Sequence, residues 1–263
     1  MKLERYNPED WASSTPTLLQ RFARFVFSVP GRWLLRFKGY GPQFRVPADG
    51  GFLLAPGPHG AFRDPLVFGL GQQRTRLRFM VAEKVMRLPV VGRIVRWGGG
   101  FPVIRGNGRS EDALTVARTI VNSGDGVCVF AEGKLVLDGP GLGEPRSGLA
   151  RLALSTGIPV VPVAGYGTKR RSAYGRPWWR GPHPVTICWG EPLNFPLEEN
   201  PTPERVAEVR DLIWEQVARL YDVAHHIATS SGRRPKANTV NVPSLMRELE
   251  HAAPEKPSAF NSV

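Results

Sequence analysis

The sequence lacks several features that would identify whole classes of protein. It has only two cysteines in 263 residues, which is too few for a disulfide framework. No stretch approaches the run of about 20 apolar residues that spans a bilayer. Its 29 glycines and 25 prolines follow no fixed period, which excludes collagen-like and solenoid folds. Acidic residues are also scarce, with 23 Asp and Glu against 35 Lys and Arg, so the net charge is +12.

What the sequence does contain is typical of one globular α/β domain. Hydrophobic residues make up 41% of the chain, which is enough for a sizeable core. Strand and helix patterns alternate, which predicts a single domain with a mostly parallel central sheet flanked by helices. We expect a basic amphipathic segment over residues 1–45, the folded domain over 46–228, and a flexible tail over 229–263 with a short helix near 244–251.

The excess positive charge and the N-terminal segment indicate an anionic membrane surface as a partner. Residues 16–38 combine an apolar helical stripe with arginines and a Pro30-Gly31 break. Aromatic and aliphatic residues mixed with Arg are typical of an interfacial anchor, although a helix packed on the core is the simpler alternative. Glu4, Glu9 and Asp10 stand where a signal peptide needs a basic start. We therefore expect a cytoplasmic protein that is peripheral on the cytoplasmic face of the membrane.

A loop between a strand pattern and a helix pattern carries a histidine and an aspartate. His59 and Asp64 stand five residues apart, after an apolar run and directly before Pro65. They can meet only if the chain turns between them, and a strand–loop–helix order supplies that turn. An aspartate that accepts the histidine ring N–H leaves the other ring nitrogen as a base. This spacing indicates a catalytic pair, with a loop histidine and a helix-capping aspartate as the alternative.

Two further loops combine glycine with charged side chains. Arg105 lies in the glycine-rich stretch 98–106 and offers a planar guanidinium to a phosphate, although a bend before an edge strand with a surface arginine is an equal alternative. Glu132, Gly133 and Lys134 follow another strand pattern, where the carboxyl end of a strand presents side chains to a substrate.

Other constellations of reactive residues are incomplete. No G-x-S-x-G motif is present for a serine hydrolase. The glycines of 139–143 follow no strand pattern, so we expect a surface loop and not a dinucleotide site. Cys128 and Cys188 lie in apolar runs and are expected to be buried core thiols, although Cys128 is conceivable as a nucleophile. Adjacent His225 and His226 point to different faces of a helix, so no metal site is expected.

Taken in order, the loops resemble the motifs of the glycerolipid acyltransferase family, which includes the lysophosphatidic acid acyltransferases. The family's H-x4-D motif matches His59 and Asp64, and its second motif matches the stretch that ends at Arg105. Its third, F-P-E-G-T-R, is similar to residues 130–135, and its fourth, an apolar strand, matches 158–163. The resemblance covers about residues 52–222.

This resemblance implies that a fatty acyl group passes from acyl-CoA or acyl carrier protein to a lysolipid hydroxyl. His59 would be the general base, oriented by Asp64. Arg105 and Lys134 would bind the acceptor's phosphate, in a pocket that Glu132 and Gly133 shape. The implied reaction needs no metal and no cofactor besides the acyl thioester, and no nucleic-acid partner.

Alternatives remain open at this point. Lys134-Leu135 stands where the family has Thr-Arg, which leaves room for a divergent glycolipid or aminolipid acceptor. The same fold could move acyl chains between phospholipids or hydrolyse thioesters. A non-catalytic module that binds anionic membranes uses the same positive charge.

Overall fold

A computed structural model of the chain describes residues 38–41, 46–47, 49–60, 64–71, 77–103, 110–136, 141–168, 185–230, 235–236 and 239–252. Strands and helices alternate through most of these residues. In chain order the elements are β1 (Lys38–Tyr40), β2 (Phe52–Gly57), α1 (Asp64–Gly71), β3 (Leu77–Ala82), α2 (Glu83–Met86), α3 (Val91–Trp97), β4 (Gly100–Val103), α4 (Ser110–Asn122), β5 (Gly126–Cys128), α5 (Gly148–Thr156), β6 (Val160–Tyr166), β7 (Thr186–Trp189), α6 (Pro203–Thr229) and α7 (Val242–Ala252).

The described strands form one sheet in the order β1-β7-β6-β2-β5-β3-β4. Every neighbouring pair is parallel except β6 and β7, which are antiparallel. The predicted α/β domain with a mostly parallel sheet and flanking helices is confirmed. The antiparallel pair was not predicted, because no local pattern distinguishes it from a parallel pair.

The sheet is buried on both faces, which explains why its central strands are apolar throughout. Successive residues of β2 point to opposite faces. Leu53 and Ala55 belong to a core shared with α4, α5 and α6. Phe52 and Leu54 belong to a second core, which Val67 and Phe68 of α1 cover.

The parallel pairing brings three connections to one edge of the sheet. Strands β2 and β3 both run parallel to β5, so their carboxyl ends lie at the same edge. His59 follows β2, Glu132 follows β5, and helix α2 follows β3 directly. In open α/β sheets this carboxyl edge is where ligands bind.

The two ends of the chain add to the domain within the residues described. Most of residues 1–45 lies outside those residues, but β1 pairs with β7 and so extends the sheet into that predicted segment. Helix α7 lies in the predicted tail and packs on α6, with Val242 buried and Arg219 Nη1 2.7 Å from Glu250 Oε1. This stretch of the tail is therefore folded onto the domain, and the three boundaries themselves stay a prediction.

Helix α6, with 27 residues, is the longest of those described and is amphipathic. Within the ranges that the structure describes, no helix combines the length and the apolar character that a membrane span needs.

Candidate active site

His59 and Asp64 meet at the carboxyl edge of the sheet because the chain turns between β2 and α1. Asp64 Oδ2 accepts a hydrogen bond of 2.7 Å from the Gly60 N–H and lies 3.3 Å from His59 Nδ1. The Asp64 side chain is fully buried, whereas 19% of the His59 side chain is exposed. The sequence spacing thus corresponds to a real contact, with the carboxylate behind the ring and part of the ring open to solvent.

This arrangement can supply a base. When Nδ1 carries the ring proton it donates to Asp64 Oδ2, and Nε2 is then left with a free lone pair. A buried carboxylate behind the ring also stabilises the imidazolium that forms when Nε2 takes a proton. The same carboxylate holds the turn through Gly60, so one side chain sets both the loop and the ring.

An aromatic pair holds the plane of the His59 ring. The Phe130 ring stacks on it with centroids 4.0 Å apart and an interplanar angle of 25°. Phe68, on α1, packs edge-on against Phe130 with centroids 6.0 Å apart. Phe130 appeared in the sequence analysis only as the first letter of a motif, and no local signal indicated that it contacts the histidine.

Glu132 fixes the backbone on either side of the site. Its buried carboxylate accepts the His59 N–H through Oε2 and the Gly143 N–H, at 2.6 Å, through Oε1. The His59 carbonyl in turn accepts a 2.7 Å hydrogen bond from the Val136 N–H. Among the contacts of the described residues, Glu132 therefore joins three loop segments.

Gly143, in the loop that was expected to lie at the surface, contacts this site. The Gly143 N–H is bound to Glu132, and a Cβ on Gly143 would lie 2.6 Å from Val136 Cγ2 and 3.2 Å from Glu132 Oε1. A larger residue at position 143 would push against both groups. Close packing therefore explains the glycine at position 143, whereas a Cβ on Gly141 would meet nothing within 4 Å.

Two basic side chains flank the Gly133 turn. Gly133 has φ +63°, a left-handed conformation that favours glycine, and Lys134 beside it is exposed. A Cβ on Gly133 would lie 2.8 Å from Cδ and 3.1 Å from Nε of Arg146, so the Arg146 side chain crosses the turn. The Arg146 N–H donates to the Ala131 carbonyl at 2.8 Å. Sequence reasoning missed Arg146, since it lies outside every motif that was considered.

The structure describes only residues 98–103 of the second predicted motif, which ends at Arg105. Gly100–Val103 is strand β4 at the edge of the sheet, paired with β3. The edge strand is therefore present, and the role of Arg105 stays a prediction. Arg105 lies outside the described residues.

The buried thiols do not provide a nucleophile. Cys128 and Cys188 are both buried and unpaired with each other. Burial, and to a lesser extent the Asp64 carboxylate, raise the pKa of Cys128 well above its usual range. A neutral, buried thiol is a poor nucleophile, so the Cys128 hypothesis is wrong. Within the described ranges no three His, Cys, Asp or Glu side chains are grouped closely enough to hold a metal ion.

With this geometry established, the comparison with protein families decides the class of the chain. Residues 41–165, which contain β2, the His59–Asp64 pair and the Glu132 turn, match the family model described as Acyltransferase. The acyltransferase assignment therefore applies to residues 41–165. The resemblance to glycerolipid acyltransferases that the motifs predicted is thereby confirmed.

A solved structure shows the same fold for this acyltransferase. It is the crystal structure of the 1-acyl-sn-glycerophosphate (LPA) acyltransferase PlsC from Thermotoga maritima, with a TM-score of 0.60 and 23% sequence identity over 82% of each chain. At this identity the likeness establishes a shared fold. No curated protein matches the acyltransferase in sequence.

Proposed function

We propose that this acyltransferase moves a fatty acyl group from an acyl-CoA or acyl carrier protein thioester to a hydroxyl of a lysophospholipid-type acceptor. The observation that carries the proposal is the contact of His59 Nδ1 with the buried Asp64 carboxylate inside the acyltransferase domain. The name of the similar PlsC structure, a 1-acyl-sn-glycerophosphate acyltransferase, supports this class of acceptor. The reaction would contribute to phospholipid synthesis or remodelling at the cytoplasmic face of the membrane.

In the proposed reaction, His59 Nε2 removes the proton of the acceptor hydroxyl as its oxygen attacks the thioester carbonyl. A tetrahedral intermediate forms and collapses, the carbon–sulfur bond breaks, and the thiolate takes the proton from the His59 imidazolium. The products are an ester and a free thiol, so atoms and charge balance. Asp64 keeps the ring tautomer and stabilises the imidazolium in between. The thioester supplies its own leaving group, so the proposal needs no cofactor besides this acyl donor.

The acceptor's headgroup would bind beside the Gly133 turn. Lys134 is exposed there, and the Arg146 side chain lies across the same turn. We propose that these two cations, together with Arg105, bind a phosphate. Glu132 shapes this pocket by holding the backbone of His59 and Gly143. Arg146 would supply the planar guanidinium that Leu135 cannot.

The first experiment measures thiol release from a long-chain acyl-CoA and, separately, from acyl carrier protein, with and without lysophosphatidate. We expect acceptor-dependent release by the wild type, and a loss of about 10²–10⁴-fold in His59→Ala, the range that general-base catalysis supplies. His226→Ala is the matched control, because His226 is an exposed histidine on α6. Release that needs no acceptor would support a thioesterase. No release from either donor, with acyl exchange between phospholipids, would support a transacylase, and vesicle binding without chemistry would support a non-catalytic module.

A second prediction concerns the acceptor. Arg146→Ala should raise KM for a phosphate-bearing acceptor about tenfold to a hundredfold and leave KM for the acyl donor nearly unchanged, because a charge-assisted hydrogen bond contributes about 1.5–3 kcal/mol. Arg151→Ala is the control, because Arg151 is exposed on neighbouring α5. Steady-state kinetics with each substrate varied in turn measure both constants.

The replacement of the family Thr-Arg by Lys134-Leu135 favours one second candidate, a divergent glycolipid or aminolipid acceptor. A wild-type enzyme that prefers such an acceptor, with no effect of Arg146→Ala on its KM, would support this candidate over the phosphate-bearing acceptor.

A further inference from the structure

The connection between β3 and β4 exposes an unusual group of aliphatic side chains. Six large hydrophobic side chains are exposed in the described residues, and four of them lie in this connection, within the seven consecutive positions 88–94. The other two, Leu197 and Leu212, are in the loop before α6 and on α6 itself. We name the four the α2–α3 tip; they are Leu88 (50% exposed), Val90 (67%), Val91 (44%) and Ile94 (60%).

Backbone hydrogen bonds and a close contact between α2 and α3 fix the conformation of the tip. The Leu88 N–H donates to the Val85 carbonyl at 3.2 Å, the Gly92 N–H to the Leu88 carbonyl at 2.7 Å, and the Ile94 N–H to the Val90 carbonyl at 3.0 Å. A Cβ on Gly92 would lie only 2.1 Å from the Met86 carbonyl oxygen, so α3 packs directly against the end of α2. The tip is therefore a hydrogen-bonded turn that presents apolar side chains to solvent. Such patches on a folded protein mark interaction sites.

The charges around the tip are positive. Residues 83–97 contain Lys84, Arg87, Arg93 and Arg96 against the single acid Glu83, so 4 − 1 gives +3. Lys84 and Arg93 are exposed, and Glu83 is paired with Arg87 at 2.6 Å. Aliphatic side chains among cations match the chemistry of an anionic lipid surface, where hydrocarbon contact and charge attraction act together.

The composition of the tip favours a membrane over a protein partner. All four of its side chains are aliphatic, whereas the residues that dominate protein–protein contacts are enriched in Trp, Tyr and Arg and poor in Leu and Val. A lipid surface also accepts aliphatic side chains at any spacing, since it needs no matching pocket.

The helix pair that carries the tip begins at the edge of the sheet that holds the candidate active site. Helix α2 begins directly after β3, whose carboxyl end lies beside that of β5 and, through β5, that of β2. His59 follows β2 at this edge. A membrane that contacts the tip would therefore lie on the side of the molecule where a lipid acceptor has to enter.

We propose that the α2–α3 tip inserts its aliphatic side chains into the headgroup region of an anionic phospholipid membrane. In sequence, the tip lies outside residues 1–45, the predicted N-terminal anchor. Delivery of a lipid acceptor to His59 rests on the proposed function, whereas insertion itself rests only on exposure and charge.

A fluorescent label at the tip tests insertion in the full chain. Ile94→Cys is labelled with an environment-sensitive thiol-reactive dye, and Leu212→Cys carries the same dye as the control. Because Cys128 and Cys188 are buried, the introduced thiol is the reactive one. With vesicles of equal parts phosphatidylglycerol and phosphatidylcholine, we expect a blue shift at position 94 and quenching by lipids brominated on their acyl chains, with neither effect at position 212.

Three outcomes would overturn the proposal. The label at position 94 could remain in water while the protein sediments with the vesicles, which would show that another segment binds the membrane. A shift on addition of acyl carrier protein without lipid would indicate a protein partner. A shift that depends on protein concentration alone would indicate a second copy of the chain.

Substitutions at the tip provide a second measurement. The double variant Leu88→Gln, Ile94→Gln should weaken binding to these vesicles at least about tenfold, since buried CH₂ groups drive such binding. Leu197→Gln, Leu212→Gln is the matched control. Equal binding by both double variants would contradict the proposal. Acyl transfer to a short-chain, water-soluble acceptor should be the same in the wild type and in both double variants. If the wild type transfers no acyl group while its tip inserts into vesicles, the proposed function fails and this inference stands.

Discussion

At the scale of single residues, Glu132 connects the parts of the candidate site. Its two carboxylate oxygens accept backbone N–H groups from His59 and Gly143, and 73 positions separate Glu132 from His59 in sequence. Sequence analysis placed Glu132 in the substrate pocket because it follows a strand and belongs to the third motif. Its contacts indicate in addition that it positions the loop that carries the histidine.

This positioning role predicts the effect of an isosteric change. Glu132→Gln replaces one acceptor oxygen by an NH₂ group, which would face a backbone N–H and lose a charge-assisted hydrogen bond of about 1.5–3 kcal/mol. We expect kcat to fall about tenfold to a hundredfold, with a smaller change in KM for the acyl donor. Glu144→Gln is the control, because Glu144 is exposed in the same loop. Equal kinetics for both variants, or a rise in KM alone, would contradict the positioning role.

The residues of the site differ in how far sequence could predict them. The H-x4-D spacing led to His59 and Asp64 because both lie in one loop, where a short turn is enough to join them. Phe130 was missed as a contact because it meets His59 only after strands β2 and β5 have paired. Gly143 and Arg146 were missed because each reaches its partner by a fold of the stretch that follows β5, and no local pattern indicates that fold.

At the scale of elements, α6 shows how much a local signal can predict. Thr202 followed by Pro203 is a pattern typical of a helix start, and the Thr202 Oγ1 accepts the Arg205 N–H at 3.2 Å. The helix runs over Pro203–Thr229 and contributes a row of buried side chains to the core: Val206, Val209, Ile213, Val217, Leu220, Val223, Ala224 and Ile227.

Loss of this cap should have a measurable cost. Thr202→Ala removes the acceptor for the Arg205 N–H, and we expect the free energy of unfolding to fall by about 1 kcal/mol. Urea denaturation of the two proteins measures the change. Thr115→Ala, at an exposed position inside α4, is the control and should be neutral or stabilising, because Ala has the higher helix propensity. A Thr202→Ala midpoint equal to that of the wild type would show that the cap contributes nothing.

Short elements escaped the sequence analysis. Strand β1 has three residues, and helices α2 and α3 have four and seven, so none of them is long enough to show a clear periodicity. Strand β1 exists because β7 supplies its hydrogen-bond partners, and α2 and α3 are held by the close approach of Gly92 to Met86.

At the scale of the whole molecule, the buried cysteines make stability depend on pH. Burial raises the pKa of Cys128 and of Cys188 in the folded protein above that of an exposed thiol. Burial also raises the pKa of Tyr166 and Tyr221. Above about pH 9 the unfolded chain therefore loses protons that the folded chain retains, so unfolding becomes more favourable as the pH rises.

The expected slope can be measured. Each thiol lowers the free energy of unfolding by up to about 1.4 kcal/mol per pH unit, from about pH 9 until the folded thiol ionises. Below about pH 8 this contribution to stability is fully present. Urea denaturation of the wild type and Cys188→Ala at about pH 8, 9 and 10 tests it, and the variant should lose less stability between pH 9 and 10. Parallel curves for the two proteins would contradict the prediction.

The sequence by itself determined the alternation of the longer strands and helices, the α/β class, and the His59–Asp64 pair, because these depend on local periodicity, capping and short-range turns. The acyltransferase family also followed from motifs that lie along the chain. Tertiary structure alone decided the antiparallel β6–β7 pair, the hold of Glu132 on the His59 loop, the position of Arg146 and the exposed α2–α3 tip. The β6–β7 pair and the contact of Glu132 with His59 join residues far apart in sequence, so they depend on which strands pair. The tip is a local segment, and its exposure depends on which surfaces the rest of the fold leaves uncovered.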